Sequence, residues 1–194
     1  MVLNKPGKYS WLVVFLGNPG QRYAMTRHNA GFLTGDAFAK KQGVKIDRLR
    51  FHALTGEAKL GDEALLLMKP QTYMNESGTA VSEAMRFYKI PLERTLVVSD
   101  DVSLDLGRLR VRRSGSAGGH NGLKDIIAKC GGEGFPRIRL GVGKPAFDMI
   151  DWVLSVFHDQ EAIDILKAAD EAADAVETLI TRGVDEAMNR FNHA

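Results

Sequence analysis

The sequence predicts an α/β domain: a twisted, mixed and mostly parallel sheet, flanked by helices, with polar residues gathered along one edge. Three observations carry this. Residues 11–16 (WLVVFL) and 95–99 (TLVVS) are apolar without alternation, as strands buried on both faces of a sheet are. The apolar runs at 11–16, 64–68 and 95–99 each lead into polar residues: Asn18, then Asn75 a few positions beyond the second run, then Asp100. Segments with helical apolar spacing lie between and after them. If the three strands are parallel neighbours, those side chains meet in one crevice at the carboxyl edge, where open α/β sheets bind ligands.

In chain order, residues 1–10 (MVLNKPGKYS) read as a loosely ordered extension that lacks the apolar core of a signal peptide. Asn18-Pro19-Gly20 is turn chemistry closing the first strand. Asn29 is placed to cap a helix whose apolar positions Ala30, Phe32, Leu33, Ala37 and Phe38 recur until Gly43. Residues 53–60 and 64–68 read as a hairpin around Gly61-Asp62-Glu63. Lys69-Pro70 and Gln71-Thr72 lead into a helix running to about Tyr88, and Pro91 closes that segment. After the strand at 95–99, Arg108, Arg110 and Arg112 alternate with Leu109 and Val111, so a strand here presents guanidinium groups on one face. A glycine-rich turn at 114–119 precedes His120-Asn121 and a helix over about 122–130. Arg137 and Arg139 alternate with Ile138 and Leu140 in a last strand ending at Gly143. Residues 148–157 read as a short helix over the site. A long amphipathic helix starts at Gln160 and stops at Gly183. Residues 148–194 thus form a C-terminal helical part of one domain spanning 1–194.

The composition narrows the function classes. The chain has 194 residues, 44% of them hydrophobic, and no apolar run near the roughly 20 residues of a membrane helix. A soluble cytoplasmic protein is expected. Its single cysteine, Cys130, allows neither an internal disulfide nor a thiolate metal cluster, and its place at a helix C-terminus disfavours a reactive thiolate. From Asp148 onward eleven acids face three bases, a net −8, whereas the first 147 residues carry 23 bases and 13 acids, a net +10. Such asymmetry suits a basic body that meets a polyanion; solvated charge clusters are the plainer alternative.

Several motifs fail on context. Gly141-Val142-Gly143-Lys144-Pro145-Ala146 fits a dinucleotide fingerprint only superficially, because Pro145 disrupts it, and Ser116 lacks the preceding glycine of a nucleophile elbow. Asp100-Asp101 could hold Mg²⁺, but no third acid stands near, and no metal is assigned. What survives is His28, able to act as a general base if a carboxylate fixes its tautomer, with Asp100 the best placed carboxylate. Without a good serine or cysteine nucleophile, the atom His28 activates is water, which makes a hydrolase. Asn18, Asn75 and Asn121 suit a carbonyl or amide. On spacing alone, Asn75 and Asn121 are equally helix N-caps, and His28 taken alone could be a half-buried structural histidine.

Gly17-Asn18-Pro19-Gly20, Tyr23, Thr26-Arg27-His28-Asn29-Ala30-Gly31, Lys69-Pro70-Gln71-Thr72-Tyr73-Met74-Asn75, Ser77-Gly78, Asp100-Asp101 and Gly118-Gly119-His120-Asn121-Gly122 resemble, in order and spacing, the bacterial peptidyl-tRNA hydrolases. The resemblance covers about residues 11–143 and, less specifically, the terminal helices. It implies a single three-layer domain of the phosphorylase/hydrolase-like type. It implies cleavage of the ester between a peptide and the 3′ ribose of tRNA dropped during translation. The enzyme would be a cytoplasmic monomer with no cofactor, membrane contact or obligate protein partner. Carried over by position, His28 is the base, Asp100 its partner, and Asn18, Asn75 and Asn121 the contacts to substrate and water. Tyr23, Met74, Gly118 and His120 line the cleft, and Arg110, Arg112 and Arg139 hold tRNA. Ser103 departs from the pattern, standing where relatives usually carry a second acid. Two other classes stay open: a noncatalytic RNA-binding module on this scaffold, and a metal-dependent phosphoesterase using Asp100 and Asp101.

Overall fold

Residues 7–192 are described by the computed structural model. β1 (Trp11–Phe15) lies mid-sheet, and all five of its residues are buried, as its unbroken apolar run requires. It pairs in parallel with β4 (Glu63–Pro70) on one side and β5 (Thr95–Asp101) on the other, and β7 (Arg137–Gly141) extends the parallel set beyond β5. Antiparallel strands close both flanks. β3 (Ala53–Leu60) forms the expected hairpin with β4, β2 (Arg48–Arg50) pairs outside it, and β6 (Leu109–Arg112) pairs outside β7. The sheet order is β2-β3-β4-β1-β5-β7-β6. The three apolar runs are therefore adjacent, β4-β1-β5, and their carboxyl ends share one edge.

Alternation along the strands divides the core in two. Val13, Phe15, Leu67, Leu96, Val98 and Ile138 face α1 (Ala30–Gln42), α5 (Asp159–Arg182) and α6 (Val184–Phe191). Leu12, Val14, Leu16, Leu66, Met68 and Val97 face α2 (Ser77–Tyr88) and α3 (Asn121–Cys130). In α5 the buried stripe is largely alanine, with Ala168, Ala169, Ala172, Ala173 and Ala175 inside, so this long helix can approach closely while larger strand side chains fill the space. A short helix, α4 (Met149–Leu154), lies between β7 and α5, where a helix over the site was expected.

Some local expectations change. The first strand of the small hairpin, β2, has no counterpart in the sequence reading, because its turn, Phe51-His52, holds φ of 53° at both residues without glycine or asparagine. Asn29 occupies the residue before α1 but makes no side-chain cap there. The last strand ends at Gly141, two residues before the expected Gly143. Of the segment expected to be loose, residues 1–6 lie outside the described residues. The rest is docked: Tyr9 is buried edge-on against Tyr88, with ring centroids 4.7 Å apart, and Ser10 exchanges hydrogen bonds with Ala64.

The entry of α1 is pressed directly onto the sheet. A Cβ at Gly31 would lie 2.4 Å from Leu16 O, 2.6 Å from Leu16 N and 2.7 Å from Val98 O, all backbone atoms that cannot yield singly. Gly31→Ala must therefore lift the helix from β1 and β5. It is expected to lower the unfolding free energy by about 1–3 kcal/mol in urea denaturation; an unchanged midpoint would show that this contact is not tight.

Candidate active site

The chain leaves β1, turns through Asn18-Pro19-Gly20, and re-enters as a 3₁₀ turn at Arg27–Asn29 that carries His28 to the end of β5. There His28 Nδ1 lies 2.9 Å from Asp100 Oδ1 and 3.0 Å from Oδ2. From the opposite side His120 Nε2 lies 2.8 Å from the same Oδ1. His120 Nδ1 accepts a hydrogen bond from Leu123 N at 3.3 Å, capping α3. A nitrogen that accepts carries no proton, so the hydrogen that His120 shares with Asp100 is on Nε2. His28 likewise donates from Nδ1, which leaves Nε2 as its basic nitrogen.

Asp100 is only 3% exposed and His28 8%. Burial raises the Asp100 carboxyl pKa, but the charges and hydrogen bonds of His28 and His120 outweigh it and hold the group well below the usual carboxylate range. Burial likewise pushes His28 down, yet the Asp100 charge and hydrogen bond prevail, so its pKa lies above the ordinary 6.5.

The asparagines divide. Asn18 and Asn29 interlock, Asn18 N donating to Asn29 Oδ1 at 2.8 Å and Asn29 Nδ2 donating to Asn18 O at 3.0 Å, so the expected helix cap is instead a turn clasp. Asn18 Oδ1 accepts from Met74 N at 2.9 Å. That bond orients the amide and leaves its Nδ2 with no partner among the described residues. Asn75 and Asn121 are exposed and have no side-chain partner among the described residues. Neither is an N-cap: Glu76 precedes α2 and His120 precedes α3.

His28, Asp100, Gly118, His120, Asn121 and Arg139 line one hollow of about 110 Å³, with Met149, Ile150 and Val153 of α4 as its apolar wall. Asn18 lines a neighbouring hollow with Pro19, Gln21, Lys69 and Gln71. Tyr23, Met74 and Asn75 line neither. Tyr23 is half-buried beneath the guanidinium of Arg22, and Met74 is buried, its sulfur packed where a Cβ on Gly122 would lie 2.6 Å away.

The arginine rows meet in register. Arg110 pairs with Arg139 and Arg112 with Arg137 across β6 and β7, so all four side chains leave the same face. Their environments differ. Arg112 is exposed and Arg110 half-buried, whereas Arg137 is 1% exposed and donates to the carbonyls of Ser116, Glu133 and Phe135, tying down the glycine-rich turn. Burial and the neighbouring Arg139 push its pKa down to about 10. Arg139 Nε lies 2.8 Å from Asp101 Oδ2, a charge contact beneath the turn. A Cβ on Gly118, whose φ is +57°, would stand 3.0 Å from Arg139 Nη2. Ser103 N and Oγ donate to Asp101 Oδ1 at 2.8 and 2.7 Å.

Asp100 and Asp101 thus serve separate partners and do not form the shared cation pair that the residues alone left open. His28, Asp100 and His120 do place ligand atoms within 4.8 Å of one another, a possible ion site. The Leu123 N–H on His120 Nδ1 opposes a metal at Nε2, since a metal there would force a proton onto the accepting nitrogen.

The comparisons with known proteins point to one family. The family model described as peptidyl-tRNA hydrolase matches residues 12–194. A peptidyl-tRNA hydrolase of Symbiobacterium thermophilum is 51% identical over 185 residues, covering 93% of this chain and 98% of that one. One of Caldicellulosiruptor saccharolyticus is 47% identical over 182 residues, covering 94% and 96%. The crystal structure of peptidyl-tRNA hydrolase from Acinetobacter baumannii superposes with a TM-score of 0.89 at 35% identity, covering 97% of each chain. With a matching fold, near-complete coverage and identities of this size, the chain belongs to the peptidyl-tRNA hydrolase family.

Proposed function

We propose that this protein hydrolyses the ester between a peptide and the 3′ ribose of tRNA, recycling tRNA lost from translation, and that His28 activates the water. The observation that carries the reading is the buried His28 Nδ1 to Asp100 pair, which leaves Nε2 as a base beside an open hollow. Nε2 takes a proton from water as its oxygen attacks the ester carbonyl, and Asp100 stabilises the imidazolium that forms. Collapse of the tetrahedral intermediate breaks the bond to the ribose oxygen, which receives that proton. Asn121, whose side chain has no partner among the described residues, contacts the ester. Asn18, through its Nδ2, and Asn75 contact the flanking substrate. Tyr23 and Met74 support these contacts, while Gly118 and His120 shape the cleft. An ester is labile enough for a base, an orienting carboxylate and a few amide donors to suffice.

Arg110 and Arg112 hold tRNA phosphates from the exposed edge, consistent with the net +10 of the first 147 residues. Arg139 contributes too, but from beneath Gly118. The protein acts as a cytoplasmic monomer needing no cofactor or protein partner.

Incubating the protein with N-blocked aminoacyl-tRNA in EDTA is expected to release tRNA, whereas a noncatalytic binding module would release none. His28→Ala is expected to lower kcat by about 10²- to 10⁴-fold with tRNA affinity retained; near-normal turnover would remove the base assignment.

The active form of a base is its unprotonated one, so activity falls as pH drops through the His28 pKa. Because that pKa is raised, the ascending limb of kcat/KM against pH should centre above 6.5. Asp100→Asn removes the charge that raises it and leaves burial, so the limb of the residual activity should move to lower pH. A limb that stays in place means that another group titrates.

Arg112→Ala is expected to raise KM with kcat nearly unchanged and to flatten log binding against log salt by about one phosphate contact. Arg139→Ala is expected to lower kcat as well, because it also frees Asp101 and the turn above it. Equal effects on KM alone in both variants would show Arg139 to be a simple phosphate contact.

A further inference from the structure

Arg27 directly precedes His28, yet its side chain turns away from the base and is only 5% exposed. Its Nε donates to Ser155 Oγ at 3.1 Å, Nη1 to Val142 O at 3.2 Å, and Nη2 to Glu161 Oε2 at 2.7 Å. The guanidinium also lies 3.9 Å from the ring centroid of Trp152 and 4.8 Å from that of Phe157. One side chain thereby joins the end of β7, the C-terminal end of α4 with the residues just after it, and the first turn of α5. The backbone adds Arg27 N to Ser155 O and Phe157 N to Met25 O, each at 3.0 Å, with a bridge between Thr26 and Val156.

A helix of six residues has no stability of its own, so its position comes from its attachments. The helical part of α4 meets the body chiefly at the Arg27–Asn29 turn. Trp152, stacked on Arg27, also donates from Nε1 to Gly143 O at 3.0 Å. The same helix supplies Met149, Ile150 and Val153 to the hollow before His28. Met149 and Ile150 remain 49% and 66% exposed, apolar surface held open beside a reacting group.

We propose that Arg27 is a positioning residue for the hydrolysis: it acts through Trp152 to hold α4 as the apolar wall of the catalytic hollow. The guanidinium is suited to this because it donates in a fixed plane and stacks at the same time, which a lysine ammonium cannot do. The wall binds the acyl part of the substrate before and during reaction alike, so its loss appears in KM. The proton path does not include Arg27. The proposal rests on hydrolysis with His28 as base, and that reading is checked first by wild-type turnover and its loss in His28→Ala.

The test is steady-state kinetics on N-blocked aminoacyl-tRNA for Arg27→Lys, Trp152→Leu and the double variant. Each single change is expected to raise KM by about tenfold, with kcat within about threefold and the pH limb unmoved. The double variant should be little worse than either single, because both remove one contact. Trp152 is one of only two tryptophans, so its emission should shift in Arg27→Lys as the indole loses its stacked partner. A merely structural role would reduce the folded fraction and lower apparent kcat at constant KM, overturning the proposal. So would wild-type kinetics in Arg27→Lys, additive effects in the double variant, or a displaced pH limb.

Discussion

A carboxylate buried at the end of a central strand is unfavourable unless its charge is answered, and in this protein Asp100 is answered by two imidazoles. They arrive from different parts of the chain. His28 comes from the connection between β1 and α1, and His120 from the glycine-rich turn before α3. Satisfying one anion therefore registers three segments against each other. The cap that His120 provides to Leu123 extends the same constraint into α3, because the ring can serve both partners in only one tautomer. The bond that compensates the buried charge also fixes which nitrogen of His28 is left basic.

Around that centre the cleft is divided by polarity. Beyond Gly118 the β6 and β7 arginines form a cationic edge, graded from the buried Arg137 through Arg139 to the exposed Arg112. Across the hollow stands the apolar side of α4. Under the proposed function, a substrate that is polyanionic at one end and peptide-like at the other meets a matching division. The −8 charge from Asp148 onward lies mostly on α5 and α6, which pack on the other face of the sheet from the arginine rows, although α6 abuts β6 and Arg113 pairs with Asp185.

Much of this was legible in the sequence because it follows from short-range patterns. Unbroken apolar runs marked β1 and β5, glycine and proline marked the turns, and the polar residues after the strands marked the edge. What was hidden depended on partners remote in sequence. Nothing in the alternation of Arg137 and Arg139 distinguishes a guanidinium sunk among carbonyls from one available to phosphate; the turn at 114–119 decides that. Asn29 has the right place for a helix cap, but Asn18 competes for its amide and wins. Arg27 is a charged residue in a turn, ordinarily solvated, and only the return of residues 155–157 encloses it. The Phe51-His52 turn escaped because its left-handed backbone is held by burial of Phe51 against Phe87 and Tyr88, with no glycine to signal it.

The central place of β1 also bears on how the chain is made. Trp11 pairs with Leu65 and Leu12 with Thr95, so β1 leaves the ribosome 54 and 83 residues ahead of these partners. At synthesis rates of ~5–20 residues per second, that delay is on the order of 10 s. The β3–β4 hairpin closes locally in far less time. A nascent chain thus holds a ready-made edge before the strand bearing its most apolar stretch can be sheltered on both sides. In this member of the peptidyl-tRNA hydrolase family, the core around β1 cannot close until β5 has been translated.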